Sequence, residues 1–259
     1  MEALLEVDKL SIEFGGLKAV DNFSLDVKEG EIIAVIGPNG AGKTTVFNML
    51  TGIYAPTSGS IVYKGQNMAN RKPYMFAKAG IARTFQNIRL FHESTVADNA
   101  KMAYTCHNDE KFFACLLRTK GMRQRERELD ERVMDLLRIF RLEDKADTIA
   151  NNLPYGEQRR LEIVRALMLE PQILLLDEPV AGMITAEQDE MALLVQDIRE
   201  KFDLTIILIE HHMNFVMHIA DRIKVLDFGK TIAEGVPAEI QSNPNVIAAY
   251  LGGNYHANA

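Results

Sequence analysis

The stretch Gly37-Pro38-Asn39-Gly40-Ala41-Gly42-Lys43-Thr44-Thr45 places the tightest limit on what this chain can fold into. It follows Ile32 to Ile36, an apolar run rich in β-branched residues that reads as a strand buried on both faces. Behind it, Val46, Phe47, Met49 and Leu50 supply the apolar positions of a helix. The pattern G-x-x-x-x-G-K-[ST] between a strand and a helix is a phosphate-binding loop. Its glycines let backbone N–H groups turn inward and approach phosphate oxygens. The helix N-terminus adds about half a unit of positive charge. Lys43 reaches the β and γ phosphates, and the Thr44 hydroxyl is a ligand for Mg²⁺.

Two further strand ends complete the chemistry. Ile173 to Leu176 is an apolar run ending in Asp177-Glu178. A carboxylate at that strand end suits the Mg²⁺ shell, and its neighbour suits orienting or deprotonating an attacking water. Thr205 to Ile209 reads as another buried strand, followed by Glu210-His211-His212. A histidine after the last residue of such a strand lies on the rim where α/β ligands bind, so His211 is the expected γ-phosphate sensor. His212 and His218 are read as solvent-facing or packing residues.

The bulk composition narrows the setting. The chain has 259 residues and a net charge of −7, which argues against non-specific nucleic-acid binding as its main activity. No apolar run approaches the roughly 18–20 residues that span a bilayer. The opening MEALLEVDKL is acidic and alternating, unlike a secretion signal. Cys106 and Cys115 have no histidines at metal spacing and read as plain thiols. A soluble cytosolic protein is expected.

Residues 4–28 alternate apolar and polar and predict antiparallel strands, and residues 59–64 predict another strand after the turn APTSG. From about Leu90 to Glu157 the strand signal stops. That stretch is helical in pattern, with one face on Leu129, Val133, Leu136 and Leu137. Its mixed charges read as a solvated helix face. Strand–helix alternation resumes after 158 and predicts a mostly parallel sheet.

With the phosphate loop, LLLDEP, the histidine after the next strand, and LPYGEQRRLEIVRAL (Leu153 to Leu167), the chain resembles the ATP-binding subunits of ABC transporters. FGGLKAV, RTFQNIRLF and NPNVIAAYLGG are similar to the type serving branched-chain amino acid importers, and less so to the lipopolysaccharide-export ATPase. The resemblance implies an α/β P-loop NTPase fold. It would have a RecA-like parallel core sheet, an antiparallel β subdomain and an inserted α-helical subdomain. Residues 1–259 would form one ABC ATPase domain, with a nucleotide-binding lobe at about 1–88 and 159–259 and a helical lobe at about 89–158. ATP and Mg²⁺ are the implied cofactors.

Position by position, the resemblance implies that Phe14 stacks on adenine and that the loop from Gly37 to Thr45 cradles the phosphates. Gln86 would link the Mg²⁺ shell of Thr44 and Asp177 to the helical lobe. Glu178 would be the base, with Lys43 and His211 on the phosphates. Tyr155, Gly156 and Glu157 would face the nucleotide of a second, identical or paralogous subunit. Ala181 to Ile184 would lie at the loop crossing that interface. Transmembrane permease subunits and, indirectly, an extracytoplasmic solute-binding protein are the implied partners. The implied location is the cytoplasmic face of the inner membrane, with docking near Gln86 to Ala103, around Ile88, Leu90 and Phe91. A soluble ABC ATPase of translation or repair, an exporter subunit and a poorly hydrolysing regulatory subunit are the alternatives. Three positions depart from the family: Pro154 stands for serine, Ile184-Thr185 for Asn-Pro, and His212 for aspartate. Pro154 removes a hydroxyl and an N–H from the helix start, where proline is well tolerated.

Overall fold

A computed structural model describes residues 3–104 and 120–251. Cys106 and Cys115 lie outside them. The chain divides into two compact units, one running up to Arg83 and again from Gln172, the other Thr84–Pro171.

The first unit carries both sheets. β1 (Leu5–Phe14) and β2 (Leu17–Val27) form an antiparallel pair, and β4 (Ser58–Tyr63) and the short β5 (Gln66–Asn67) extend it in the order β2-β1-β4-β5. The sequence alternation of residues 4–28 is the cause: Leu5, Val7, Phe23, Leu25 and Val27 face one buried core. The second sheet has the order β10-β9-β3-β8-β7-β6. Its middle strands β3 (Ile32–Ile36), β7 (Ile173–Asp177) and β8 (Thr205–Ile209) are buried along their whole length. β6 (Ile81–Arg83), β7, β8, β3 and β9 (Arg222–Asp227) run parallel, and β10 (Lys230–Gly235) closes one edge antiparallel. Continuous apolar runs suit strands covered on both faces.

Helices α1 (Lys43–Leu50) and α2 (Pro73–Ala79) also belong to this unit. The helices that follow the later strands belong there as well. They are α6 (Thr185–Lys201), α7 (Met213–Ile219), α8 (Pro237–Ser242) and α9 (Pro244–Leu251).

The second unit contains α3 (Val96–Tyr104), α4 (Lys120–Ile139) and α5 (Tyr155–Leu167). Among its described residues the β-structure is one isolated bridge, Thr95 with Ile149. Val133, Leu136 and Leu137 are buried, as the helical spacing of that face requires. α5 packs with α3, so residues 159–167 fall in this unit rather than with the strands. The reason is buried polar bonding. Arg159 is fully buried, and its guanidinium donates to the carbonyls of Phe85 and Gln86, at 2.6 and 2.7 Å. Glu162 accepts from that guanidinium and from the Phe85 N–H. Burial pushes the Glu162 carboxyl up, against the Phe85 N–H and the Arg159 charge.

Candidate nucleotide-binding site

The loop between β3 and α1 holds its shape through two glycines. Gly37 has φ 151°, and a Cβ there would lie 2.1 Å from the Leu226 carbonyl oxygen. Gly42 caps α1 at φ 100°, and its Cβ would meet the Ala19 carbonyl oxygen at 2.7 Å. No side chain fits either position, so neighbouring backbone approaches the loop closely at both. Pro38, Asn39, Gly40 and Ala41 form the turn between them. Thr44 and Thr45 occupy the first turn of α1, where N–H groups have no partner within the helix.

Lys43 points into this cradle. Its side chain is only 7% exposed, and its ammonium donates to the carbonyls of Gly37 and Pro38, at 2.7 and 2.9 Å. Burial pulls its pKa below the usual lysine range, while the charges of Glu178, Asp177 and Glu210 oppose that shift. An incoming polyphosphate would add negative charge where this ammonium now satisfies itself on carbonyls.

Asp177 ends β7 and is buried. It pairs with Arg83 at 2.7 Å, and Arg83 also donates to Asn48 of α1 at 2.7 Å. Glu178 follows with φ 49°, a left-handed conformation that costs a non-glycine residue roughly 1–3 kcal/mol. Its N–H donates to the Ile209 carbonyl at 2.9 Å, which ties the β7 and β8 ends together. His211 then lies with Nδ1 3.7 Å from Glu178 Oε1 and 3.7 Å from Glu210 Oε2. Phe14, at the end of β1, is 46% exposed and makes an edge-to-face contact with Tyr54 at 5.4 Å. The first unit therefore brings Lys43, Asp177, Glu178 and His211 to the C-terminal ends of parallel strands. Nucleotide-fold ligands bind on that rim.

The oxygen donors Thr44 and Asp177 match the hard-ligand chemistry of Mg²⁺. Gln86, exposed, belongs to the second unit, as do Tyr155, Gly156 and Glu157 at the start of α5. Pro154 is the residue before that helix, and its carbonyl accepts from the N–H groups of Glu157 and Gln158 at 3.0 Å each. Tyr155 keeps an exposed ring while its hydroxyl meets Arg159 at 3.2 Å. Glu157 is held by Lys145 at 2.5 and 2.6 Å. Of the three apolar residues expected at the docking groove, Leu90 is buried and Phe91 is about half exposed, with Ile88 between them.

An ABC transporter family model matches residues 20–181, from before the phosphate loop to just past Glu178. The chain belongs to the ABC transporter ATPase family. A second family model, described as a branched-chain amino acid ATP-binding cassette transporter, matches residues 230–256 of this ABC ATPase. BraF, a high-affinity branched-chain amino acid transport ATP-binding protein of Pseudomonas aeruginosa, is 45% identical, covering 96% of this chain and 98% of its own. LivG of Escherichia coli, with the same description, is also 45% identical, with coverage of 97% and 98%. Among solved structures, the ADP conformation of MJ1267, an ATP-binding cassette of an ABC transporter, superposes with a TM-score of 0.85. It is 29% identical, covering 97% of this chain and all of that one.

In this ABC ATPase His212, expected to face solvent or to pack, is partly exposed, and its Nδ1 lies 2.8 Å from Oε2 of Glu210, a carboxylate with no exposed surface. Glu210 itself was missed. It accepts from the N–H groups of Val180, His211 and His212, and so fixes the turn that carries His211. The signal available in sequence was a carboxylate directly after the apolar run Ile206 to Ile209, where burial demands partners. Arg83 was passed over for a different reason. Its partner Asp177 is 94 positions away along the chain, beyond the reach of any local pattern.

Proposed function

We propose that this chain binds ATP with Mg²⁺, hydrolyses it between two nucleotide-binding subunits, and drives a permease that imports branched-chain or other hydrophobic amino acids. The observation that carries the reading is the convergence of Lys43, Asp177, Glu178 and His211 on one rim of the parallel sheet, with Glu178 and His211 3.7 Å apart. The solute class rests on the relatives' descriptions and on the match over residues 230–256.

Phe14 offers its exposed face to adenine. The N–H groups of residues 37–45 and the Lys43 ammonium bind the phosphate chain. Thr44 and Asp177 would hold Mg²⁺, which neutralises phosphate charge when bound. Arg83 holds the Asp177 carboxylate in place. Glu178 accepts the proton of the attacking water, and His211 holds the γ-phosphate. The start of α5, Tyr155 to Glu157, offers its N–H groups to the nucleotide of the second subunit. Docking on separate transmembrane subunits would place the chain on the cytoplasmic face of the inner membrane. Among the described residues no helix is long and apolar enough to cross a membrane.

The test is Glu178→Gln, purified with its permease. Retained ATP in a dimer, with steady-state turnover lost, supports the assignment. Undiminished turnover would remove Glu178 from the role of base.

A further inference from the structure

The turn after β8 concentrates ligand chemistry that phosphate sensing by one histidine does not require. Glu210, His211 and His212 each offer a ligand atom, and these atoms lie within 4.8 Å of one another. His212 Nδ1 is 2.8 Å from Glu210 Oε2, and His211 Nδ1 is 3.7 Å from the same oxygen. Ligands about 2.0–2.1 Å from a tetrahedral zinc ion lie roughly 3.3 Å apart, between those two separations. The fourth position is left to water, as in zinc sites with three protein ligands.

We propose that Glu210, His211 and His212 form a transition-metal site, suited to Zn²⁺, whose filling arrests the phosphate sensor. Two imidazoles and a carboxylate are borderline ligands that select zinc, copper or nickel; Mg²⁺ prefers a shell of oxygens. The site is distinct from the Thr44 and Asp177 oxygens. Its carboxylate is preset: Glu210 is fully buried and takes backbone N–H bonds from Val180, His211 and His212, the outer-shell support that metal ligands need. A metal ion on His212 Nδ1 takes the place of that ring's hydrogen bond to Glu210 Oε2, leaves the single ring proton on Nε2, and opens the 2.8 Å contact toward the tetrahedral spacing. His211, 45% exposed at its side chain, has room to turn its ring onto the ion. Once ligated, its ring is fixed and no longer adjusts to the γ-phosphate. The placement of that arrest rests on the function proposed above; the metal site itself does not.

The experiment uses the full chain without nucleotide. Zinc binding is measured by competition with a chromophoric chelator, in wild type and in His212→Asn, which keeps a donor for Glu210. The variant is expected to lose one zinc ion per chain, or to bind it at least tenfold more weakly. Loss of an outer-shell partner alone costs about 10–100-fold in metal affinity. Cobalt substitution should give tetrahedral d–d absorption in wild type and not in the variant. Equal zinc binding in both proteins, or none in wild type, overturns the site. Turnover is then read with and without zinc: inhibition of wild type but not of His212→Asn supports arrest, and equal response refutes it. Absence of turnover in zinc-free buffer counts against the proposed ATPase and leaves the binding result to decide the metal site.

Discussion

At the scale of single residues, this site is built by burying charge beside strain. Lys43 is held below its ordinary pKa by desolvation, so the free protein gives up the ammonium proton at a lower pH than an exposed lysine does. Bound phosphate favours the protonated form. ATP affinity should therefore begin to fall as pH rises through that lowered value, and stop falling once the pKa of the complex is passed. Titrating ATP binding from neutral pH upward in wild type and Lys43→Met checks this. The wild-type curve should slope and the variant's should be flat across the same range. Pro154 poses the opposite case, a missing group. One charge-assisted donor contributes roughly 1.5–3 kcal/mol, so Pro154→Ser should raise or preserve turnover. Turnover assays on that variant that show a large drop would mean that the start of α5 lies away from the second nucleotide.

At the scale of elements, the two strand ends are cross-braced by backbone and by ions. The Glu178 N–H bonds to the end of β8, and Arg83 of β6 clasps the end of β7 while also reaching α1 through Asn48. Breaking a buried pair by removing one partner costs about 3–5 kcal/mol. Arg83→Met should therefore lower the urea midpoint by a clearly measurable amount and weaken the metal dependence of ATP binding. An unchanged midpoint would mean that the pair contributes little. The elements themselves were largely readable. The strands over Ile32–Ile36 and Thr205–Ile209 carry the bounds that their apolar runs predict, and α5, expected to begin near Tyr155 or Gly156, begins at Tyr155. Residues 59–64 were read as a strand that in fact covers Ser58–Tyr63. β6, three residues long, offered no period to read, and its existence depends on pairing with β7.

At the scale of the whole molecule, the chain is a strand-rich unit interrupted by a helical one, and its partners are expected to lie outside it. A tagged copy purified from detergent extracts should retain membrane proteins with several long apolar spans. Recovery of the chain alone, under conditions where it binds ATP, would count against the permease reading. The motif order, the phosphate loop and the three strands that feed the site were determined by sequence, because each depends on local spacing and on apolar runs that only a doubly covered sheet accommodates. The tertiary structure decided the rest. It joined Arg83 to Asp177, drew α5 into the unit of Gln86 through buried Arg159, and turned His212 onto Glu210. These are choices about where buried charge finds its partner. Burial makes an unpartnered charge too costly to keep, but spacing along the chain does not say which distant group will satisfy it.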